Sequence, residues 1–311
     1  MVAGKEIVIQ NLSVGFPVHG QVFYAVDDVS LTLVPGRFTA IVGESGCGKS
    51  VLGQALLHIL PQQVLQRGQV LQRGQVLYDG QIVDSIRHDL GVIPQNPAAS
   101  LNPTRKIGKQ MQDILQAAGI VDADAAYKKQ LLAQFGQDDA VRVLESYPHE
   151  LSGGMLQRVL CAMAVSTRPA WILADEPTKG LDETVGRIVL QNLQKIKALQ
   201  AMSMLIITHD IVLARELCDE VVVMYAGQVL EKSSSLFTQP LHPYSQAFLQ
   251  ALPQNGLQVL PGRAPAAGEV LPGCKFAPRC PGCSARCCRE RPGLYTAPGG
   301  VQVRCFLYAD S

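Results

Sequence analysis

Alternating hydrophobic and polar residues predict strands over the first 42 residues of the chain. Three short runs show this period-two pattern, EIVIQNLSV, VDDVSLTLV and RFTAIVG, and turn-forming residues separate them. The third run leads directly into the glycine-rich segment GESGCGKS at 43–50, and VLGQALLHIL at 51–60 has helical spacing. We therefore expect strands, then a glycine loop, then a helix.

The central part of the chain predicts helices followed by buried strands. Helical spacing is clearest in QMQDILQAAG and AAYKKQLLAQF, within residues 104–147. Three apolar runs follow and predict buried strands: WILADE at 171–176, MSMLIITHD at 202–210 and EVVVMYAGQVL at 220–230. Because strands that alternate with helices normally form a parallel sheet covered on both faces, we expect an α/β fold.

Beyond residue 240 proline, glycine and cysteine dominate, and the periodicity fades. This change predicts one domain over 1–235, with a helical insertion at about 97–160, and a smaller extension over 236–311. The hexapeptide VLQRGQ occurs at 64–69 and again at 70–75, which we interpret as a local duplication in a surface turn.

Composition narrows the classes of function. With 47% hydrophobic and 17% charged residues among 311, the chain can bury a sizeable core and is not globally disordered. A net charge of +1 gives no general attraction to nucleic acid, so no nucleic-acid partner is expected. The N-terminus lacks the pattern of a signal peptide, and no apolar run is long enough to span a bilayer, so we expect a cytoplasmic chain.

The segment GESGCGKS matches the phosphate-binding P-loop pattern G-x-x-x-x-G-K-[ST]. Its backbone N–H groups can surround phosphate oxygens, Lys49 can reach the β- and γ-phosphates, and the Ser50 hydroxyl can ligate Mg²⁺. A chance glycine turn is the alternative, and the position between a strand and a helix argues against it. The predicted nucleotide-binding residues here are Gly43, Ser45, Gly46, Cys47, Gly48, Lys49, Ser50 and Val51.

Two further motifs carry charge or bind anions. The strand ILADEP ends in Asp175, suited to holding Mg²⁺, and Glu176, suited to activating or orienting an attacking water. A solvated turn is the alternative for this acidic pair. In LSGGMLQR, Ser152, Gly153 and Gly154 open a helix and predict a second anion-binding N-terminus.

At this point the sequence resembles the ATP-binding cassette (ABC) ATPases that power membrane transporters. In that family two subunits pair head to tail, and the signature motif of one closes over ATP held by the P-loop of the other. Met155 stands where the family usually has glutamine. The resemblance implies a P-loop fold with a RecA-like parallel-sheet core, an antiparallel β subdomain and a helical subdomain.

The resemblance also implies roles for four further residues. Phe16 corresponds to the aromatic residue that stacks on adenine, and Gln95 to the loop glutamine that reaches Mg²⁺ and the attacking water while abutting the membrane subunit. Asp182 matches the loop that crosses the dimer interface, and His209 matches the histidine that contacts the γ-phosphate.

Six of the nine cysteines lie within residues 274–305, and QPLHPYSQAFLQALP at 239–253 precedes them. Both features resemble the C-terminal extension of oligopeptide, dipeptide and nickel importer ATPases. Four thiolates can enclose an iron–sulfur cluster or a zinc ion. The resemblance favours a [4Fe–4S] cluster. The family's cysteine pattern places the ligands at Cys274, Cys280, Cys287 and Cys305. Cys283 and Cys288 are additional candidate ligands.

The implied function is ATP hydrolysis coupled to import of peptides, nickel or a metal chelate. The implied partners are a second ATPase subunit (identical or a paralogue), two transmembrane permease subunits and, through these, an extracytoplasmic substrate-binding protein. The chain would then lie peripherally on the cytoplasmic face of the inner membrane. The alternative is a soluble ABC ATPase of DNA repair or translation, whose usual coiled-coil insertion or tandem cassettes the sequence does not show. A metal-binding regulator would not need Glu176 and His209.

Overall fold

The chain forms two compact units. The computed structural model describes residues 5–18, 21–60, 71–83, 90–121, 123–199, 202–252, 256, 258, 260–266, 269 and 271–309. One unit combines Glu6–Leu33, Thr39–Ser85 and Cys218–Ser311, and the other contains Val34–Phe38 and Ile86–Leu217. The P-loop and the cysteine-rich segment therefore belong to the same unit. The predicted domain boundary near residue 235 and the helical insertion at about 97–160 stay predictions.

The P-loop unit contains an antiparallel sheet with the strand order β2-β1-β4-β5. Its strands are β1 (Ile7–Val18), β2 (Gln21–Leu33), β4 (Leu71–Tyr78) and β5 (Gln81–Ile82). Apolar side chains of β1 such as Ile9, Leu12 and Val14 are buried, as its alternation predicted. The first VLQRGQ copy lies outside the described residues. Residues 71–75 of the second copy pair with β1 as part of β4, so the predicted surface turn is wrong there.

The same unit contains a second set of strands in the order β11-β12-β10-β9-β3. These are β3 (Phe38–Val42), β9 (Glu220–Tyr225), β10 (Gln228–Ser233), β11 (Tyr295–Ala297) and β12 (Val301–Val303). Strands β3 and β9 are parallel, and the other neighbours are antiparallel. The single strand predicted over 220–230 is wrong. A tight turn divides this run into β9 and β10, because Ala226 and Gly227 adopt positive φ angles of 47° and 84°.

A buried carboxylate ties the C-terminal extension to β10. Glu231 is fully buried and accepts hydrogen bonds from the backbone N–H groups of Leu241 and His242, at 3.0 and 2.8 Å. His242 in turn caps α9 (Pro243–Gln250), because its Nδ1 accepts a hydrogen bond from Tyr244 N at 2.9 Å. The short helix α10 (Ala285–Arg289) lies between α9 and β11 along the chain. The extension is thus attached by strand pairing and hydrogen bonds.

The other unit is built on three parallel strands in the order β8-β7-β6: β6 (Leu90–Ile93), β7 (Trp171–Asp175) and β8 (Ser203–Ile207). Its helices are α2 (Pro97–Ser100), α3 (Ile107–Ala117), α4 (Ala125–Gln134), α5 (Ala140–Glu145), α6 (Gly153–Ser166), α7 (Glu183–Ala198) and α8 (Ile211–Leu217). Helix α3 buries Ile107, Met111 and Leu115, which share one face because they are four residues apart.

Helix α6 is buried over most of its length and contains Cys161. Burial raises the pKa of the Cys161 thiol to about 12, so this cysteine is an inert buried thiol. Cys218 is only partly buried. Within the described ranges, none of the helices has the length and apolar character needed to cross a membrane.

His242 gives the stability of the fold a specific pH dependence. Burial lowers its pKa from 6.5 to about 3, so the folded chain holds a neutral imidazole. The unfolded chain therefore binds one more proton between these pH values. The free energy of unfolding should fall by up to about 1.4 kcal/mol for each pH unit below about 6.5.

The test is urea unfolding of the wild-type chain and of His242→Asn at several pH values. Asparagine can still accept the Tyr244 N–H bond but does not titrate, so the pH slope of this variant should be flatter. Glu231, whose pKa burial raises, contributes a slope of opposite sign to both proteins and cancels in the comparison. The exposed His149→Asn is the control and should keep the wild-type slope. Identical slopes for wild type and His242→Asn would contradict the prediction.

Candidate functional site

The P-loop connects β3 to α1 (Lys49–Leu56). Two glycines of this loop pack directly against the backbone of other strands. Gly43 and Gly48 have φ angles of 153° and 104°. A Cβ atom on Gly43 would lie 2.1 Å from Met224 O, and one on Gly48 would lie 1.9 Å from Ala25 O. Because both neighbours are backbone atoms, only glycine is accommodated at these two positions.

The helix α1 begins with a glycine at its N-cap. Gly48 has no side chain and so makes no side-chain cap at this helix start, a position whose N–H groups point outward from the helix. Lys49 is buried, and its Nζ donates to Gly43 O at 2.9 Å and to Glu44 O at 3.2 Å. Its ammonium group therefore lies inside the loop. The remaining predicted loop residues range from exposed (Ser45, Gly46) through partly buried (Ser50, Val51) to buried (Cys47).

A cavity of about 450 Å³ lies beside this loop, within the same unit. Residues 44–47 line it together with Phe23 and Tyr24 of β2 and residues 264–266 of the extension. Phe16, the residue predicted to stack on adenine, pairs with Phe23 across β1 and β2 and is not among the lining residues. The aromatic side chains at the cavity are Phe23, Tyr24 and Tyr225, which the sequence analysis did not identify.

In the other unit the structure brings Glu176 and His209 together. Glu176 follows β7 directly after Asp175 and is buried, and its Oε2 lies 2.6 Å from His209 Nδ1. The same oxygen accepts from His209 N at 3.3 Å. This contact arises because β7 and β8 are adjacent and parallel, so the residues that follow their ends meet. The His209 side chain is 50% exposed, which leaves Nε2 as the ring nitrogen able to contact a ligand.

Three other predicted residues of this unit, Ser152, Asp182 and Gln95, are exposed polar residues at helix starts or in a loop. Ser152 caps α6 by accepting from Met155 N at 3.3 Å, and Asp182 caps α7 by accepting from Val185 N at 2.9 Å. A Cβ atom on Gly153 or Gly154 would meet nothing within 4 Å. Gln95 is exposed in the loop after β6. Asp210, which no sequence motif indicated, accepts a hydrogen bond at its Oδ2 from Thr178 Oγ1 at 3.2 Å.

The unit that contains Gln95 also has a groove of about 560 Å³. Val92 and Pro94, which precede Gln95 in the sequence, are among the residues that line it. Residues of β6, α3 and α6 line it, together with 100–102. Two of its apolar side chains are exposed, Val92 at 38% and Ile114 at 37%. The groove therefore presents apolar surface next to polar loop residues.

The four cysteines that the family pattern selects line one cavity of about 260 Å³; they are Cys274, Cys280, Cys287 and Cys305. Cys283 and Cys288 do not line it and are exposed, with their Sγ atoms 3.6 Å apart. Across the part of the chain that the structure describes, no group of three or more His, Cys, Asp or Glu side chains has an arrangement that could hold a metal ion. The positions of these thiols therefore favour neither a zinc ion nor a cluster.

Burial raises the pKa of Cys274, Cys280 and Cys305, and neighbouring thiols among these four add to the effect. Burial also acts on Cys287, but hydrogen bonds from Ser284 outweigh it and lower the pKa of that thiol. Burial therefore favours the neutral thiol form of Cys274, Cys280 and Cys305.

Two family models match the chain. The model described as "ABC transporter" covers residues 26–179, and that described as "Oligopeptide/dipeptide transporter, C-terminal region" covers residues 230–287. The dipeptide transport ATP-binding protein DppD of Escherichia coli is 36% identical over 318 residues, covering 97% of this chain and 96% of its own. The oligopeptide transport ATP-binding protein AppD of Bacillus subtilis is 34% identical over 316 residues, with coverage of 97% and 96%.

Among solved structures, the ATP-binding cassette MJ0796 in a dimeric post-hydrolysis state with ADP and Pi has a similar fold. Its TM-score is 0.60 at 23% identity, and the alignment covers 73% of this chain and 97% of that chain. The α/β cassette fold predicted from the sequence is confirmed by this likeness.

The steric role of the two loop glycines can be tested with a matched pair of variants. Gly48→Ala should lower the free energy of unfolding by about 3 kcal/mol or more, because its Cβ would overlap a backbone carbonyl. Gly46 also has a positive φ angle, 80°, but a Cβ there would meet nothing within 4 Å. Gly46→Ala should therefore cost only about 1 kcal/mol. Urea unfolding of both variants measures the difference, and equal losses would contradict the steric explanation.

Proposed function

Because this chain belongs to the ABC transporter family of ATP-binding proteins, as its motifs predicted, we propose that it hydrolyses ATP to drive import of di- or oligopeptides through separate permease subunits. The peptide relatives align over nearly their whole length, extension included, which supports an importer over a soluble ATPase of DNA repair or translation. Nickel and metal chelates, the alternative cargoes, have no counterpart among the relatives described above, so the proposal is limited to peptides.

The observation that carries the hydrolytic part of the proposal is the Glu176–His209 contact of 2.6 Å. Glu176 is a buried carboxylate held by a histidine, which suits it to accept a proton from, or orient, an attacking water. His209 keeps its other ring nitrogen for the γ-phosphate. Asp175, at the end of the same strand, is assigned to Mg²⁺ rather than to proton transfer.

The P-loop is proposed to bind the phosphates of ATP. The N–H groups at the start of α1 and the ammonium of Lys49 would supply the positive charge that phosphate oxygens require. Lys49 would exchange its bonds to Gly43 O and Glu44 O for bonds to phosphate. Ser50, Gln95 and Asp175 would hold Mg²⁺, which when bound neutralises charge on the β- and γ-phosphates.

Ser152, Gly153, Gly154 and Asp182 are proposed to serve the nucleotide of a second ATPase subunit, identical or a paralogue. Their support is that they are exposed or partly exposed and that the two glycines leave open space in front of them. A phosphate group can approach such a helix start closely.

The groove lined by β6, α3 and α6 is proposed to contact one of two permease subunits. Its exposed Val92 and Ile114 would be covered in that complex, and Gln95, close by in the sequence, would link the interface to the hydrolytic site. The chain would then lie peripherally on the cytoplasmic face of the inner membrane. A substrate-binding protein on the opposite side would deliver the peptide to the permease.

We also propose that Cys274, Cys280, Cys287 and Cys305 hold a [4Fe–4S] cluster with a structural role. The cavity of about 260 Å³ supports this, because its volume suits a multi-atom cluster. A cluster also places its cysteine sulfurs farther apart than a single zinc ion does. These four thiols line the cavity, whereas Cys283 and Cys288 do not. This division agrees with the family pattern.

Glu176→Gln should reduce ATP turnover of the assembled complex about 10²-fold or more while nucleotide binding is retained, because the amide keeps the size but not the basicity. The matched control is Glu216→Gln, an exposed carboxylate of α8, which should leave turnover unchanged. Near-normal turnover by Glu176→Gln would remove Glu176 from this role. Peptide uptake by proteoliposomes containing the complex tests the cargo, and ATP turnover without ATP-dependent peptide uptake would contradict it.

Anaerobic purification followed by iron, sulfide and zinc analysis tests the metal centre. About four iron and four sulfide per chain are expected, with the visible absorption of a cluster. Cys287→Ser should lose most of the iron, whereas the neighbouring Cys288→Ser should retain it. One zinc without sulfide would replace the cluster, and a folded active chain without either metal would refute the site.

A further inference from the structure

The C-terminal extension contacts Glu44 of the P-loop. The Arg279 Nη1 group lies 3.1 and 3.2 Å from the two carboxylate oxygens of Glu44. The hydroxyl of Tyr244 accepts a hydrogen bond from Glu44 N at 3.3 Å. Lys49 binds the Glu44 carbonyl oxygen, so all three polar groups of this residue are held.

Arg279 is itself held both by the extension and by Tyr225 of β9. Its Nε donates to Pro261 O at 2.9 Å, and its Nη1 also donates to the Tyr225 hydroxyl at 3.3 Å. The guanidinium lies over the Tyr225 ring, 5.6 Å from the centroid, and its side chain is only 6% exposed. Because a planar guanidinium held from several sides has little freedom, the extension determines where the Glu44 carboxylate lies.

The same contacts link the loop to the cysteine-lined cavity. Cys280 directly follows Arg279 in the sequence and lines that cavity, as does Phe276. The buried Phe276 ring packs edge-on against Tyr225 and Tyr244, with centroids 5.5 and 5.4 Å away. The aromatic side chains that hold Arg279 and Glu44 therefore rest on a wall of the cysteine cavity.

The charge of Glu44 makes this contact important for an anionic ligand. A carboxylate next to bound phosphates would repel them, and the repulsion weakens when a cation pairs with that carboxylate. Arg279 supplies this cation. Residues 264–266, 269 and 271 of the extension also line the cavity of about 450 Å³ beside the loop.

We infer that the C-terminal extension forms part of the nucleotide site, with Arg279 as a positioning residue that holds and neutralises Glu44 of the P-loop. The inference rests on the proposed ATP binding and adds that nucleotide affinity depends on the extension. The extension does not take part in the chemical step. Loss of Arg279 should therefore weaken ATP binding and leave the turnover of bound ATP nearly unchanged.

The test compares Arg279→Gln, Glu44→Gln and the double variant in the full chain. Arg279→Gln should raise the Kd for a fluorescent ATP analogue about tenfold, because it leaves the Glu44 carboxylate unpaired beside the phosphates. In the assembled complex KM should rise similarly while kcat stays within about threefold. The double variant removes both charges and should recover to within about threefold of the wild-type Kd. The control is Arg289→Gln, an exposed arginine of the same extension, which should bind normally.

Recovery in the double variant separates this role from simple support of the fold, because a structural defect would persist or grow. Wild-type affinity in Arg279→Gln, or equal weakness of the single and double variants, would overturn the inference. Should Arg279→Gln fail to fold, Arg279→Lys keeps the charge but cannot make all the contacts, and an intermediate Kd is expected. Wild-type affinity in that variant would likewise overturn it. A wild-type chain that binds no ATP would instead refute the proposed function.

Discussion

Two glycines of the P-loop contact main-chain carbonyl oxygens of the strands behind them. Gly48 lies against Ala25 of β2 and Gly43 against Met224 of β9, and neither contact leaves room for a Cβ atom. Side-chain replacement elsewhere cannot relieve such contacts, because their partners are backbone. These contacts therefore fix the position of the loop relative to β2 and β9. The other contacts of this unit with the loop depend on that position. Lys49 occupies the inside of the loop, and the extension reaches its outer residue Glu44.

Local sequence patterns predicted the parts of the site that depend on neighbouring residues. The loop at 43–50, the acidic pair that ends β7 and the helix start at Ser152 each follow from a short motif in its strand or helix context. Glu176 and His209 were predicted separately, Glu176 from the end of an apolar strand and His209 from the family resemblance. The two side chains come into contact because β7 and β8 are parallel neighbours.

Features that depend on distant residues could not be predicted. Arg279 and Glu44 are 235 positions apart, and no periodicity relates them. The turn at Ala226–Gly227 was not predicted because it lies within an apolar run that is typical of a single strand. Both residues have positive φ angles, but only one of them is glycine. The lining of the cysteine cavity likewise depends on how α10 and the residues after β12 come together in the folded chain. The spacing of the cysteines along the chain does not predict this.

Gly153 and Gly154 differ from Gly43 and Gly48 of the P-loop in the space available for a Cβ atom. This difference affects how substitutions at these positions are interpreted. In the part of the chain that the structure describes, a Cβ atom added at either position would meet nothing within 4 Å beyond its chain neighbours and its own helix. The described part of the subunit thus has room for a methyl group at both positions. A selection that scores only expression or solubility of the isolated subunit would therefore pass an alanine at either position, and it would reveal nothing about a role of these glycines in an assembly.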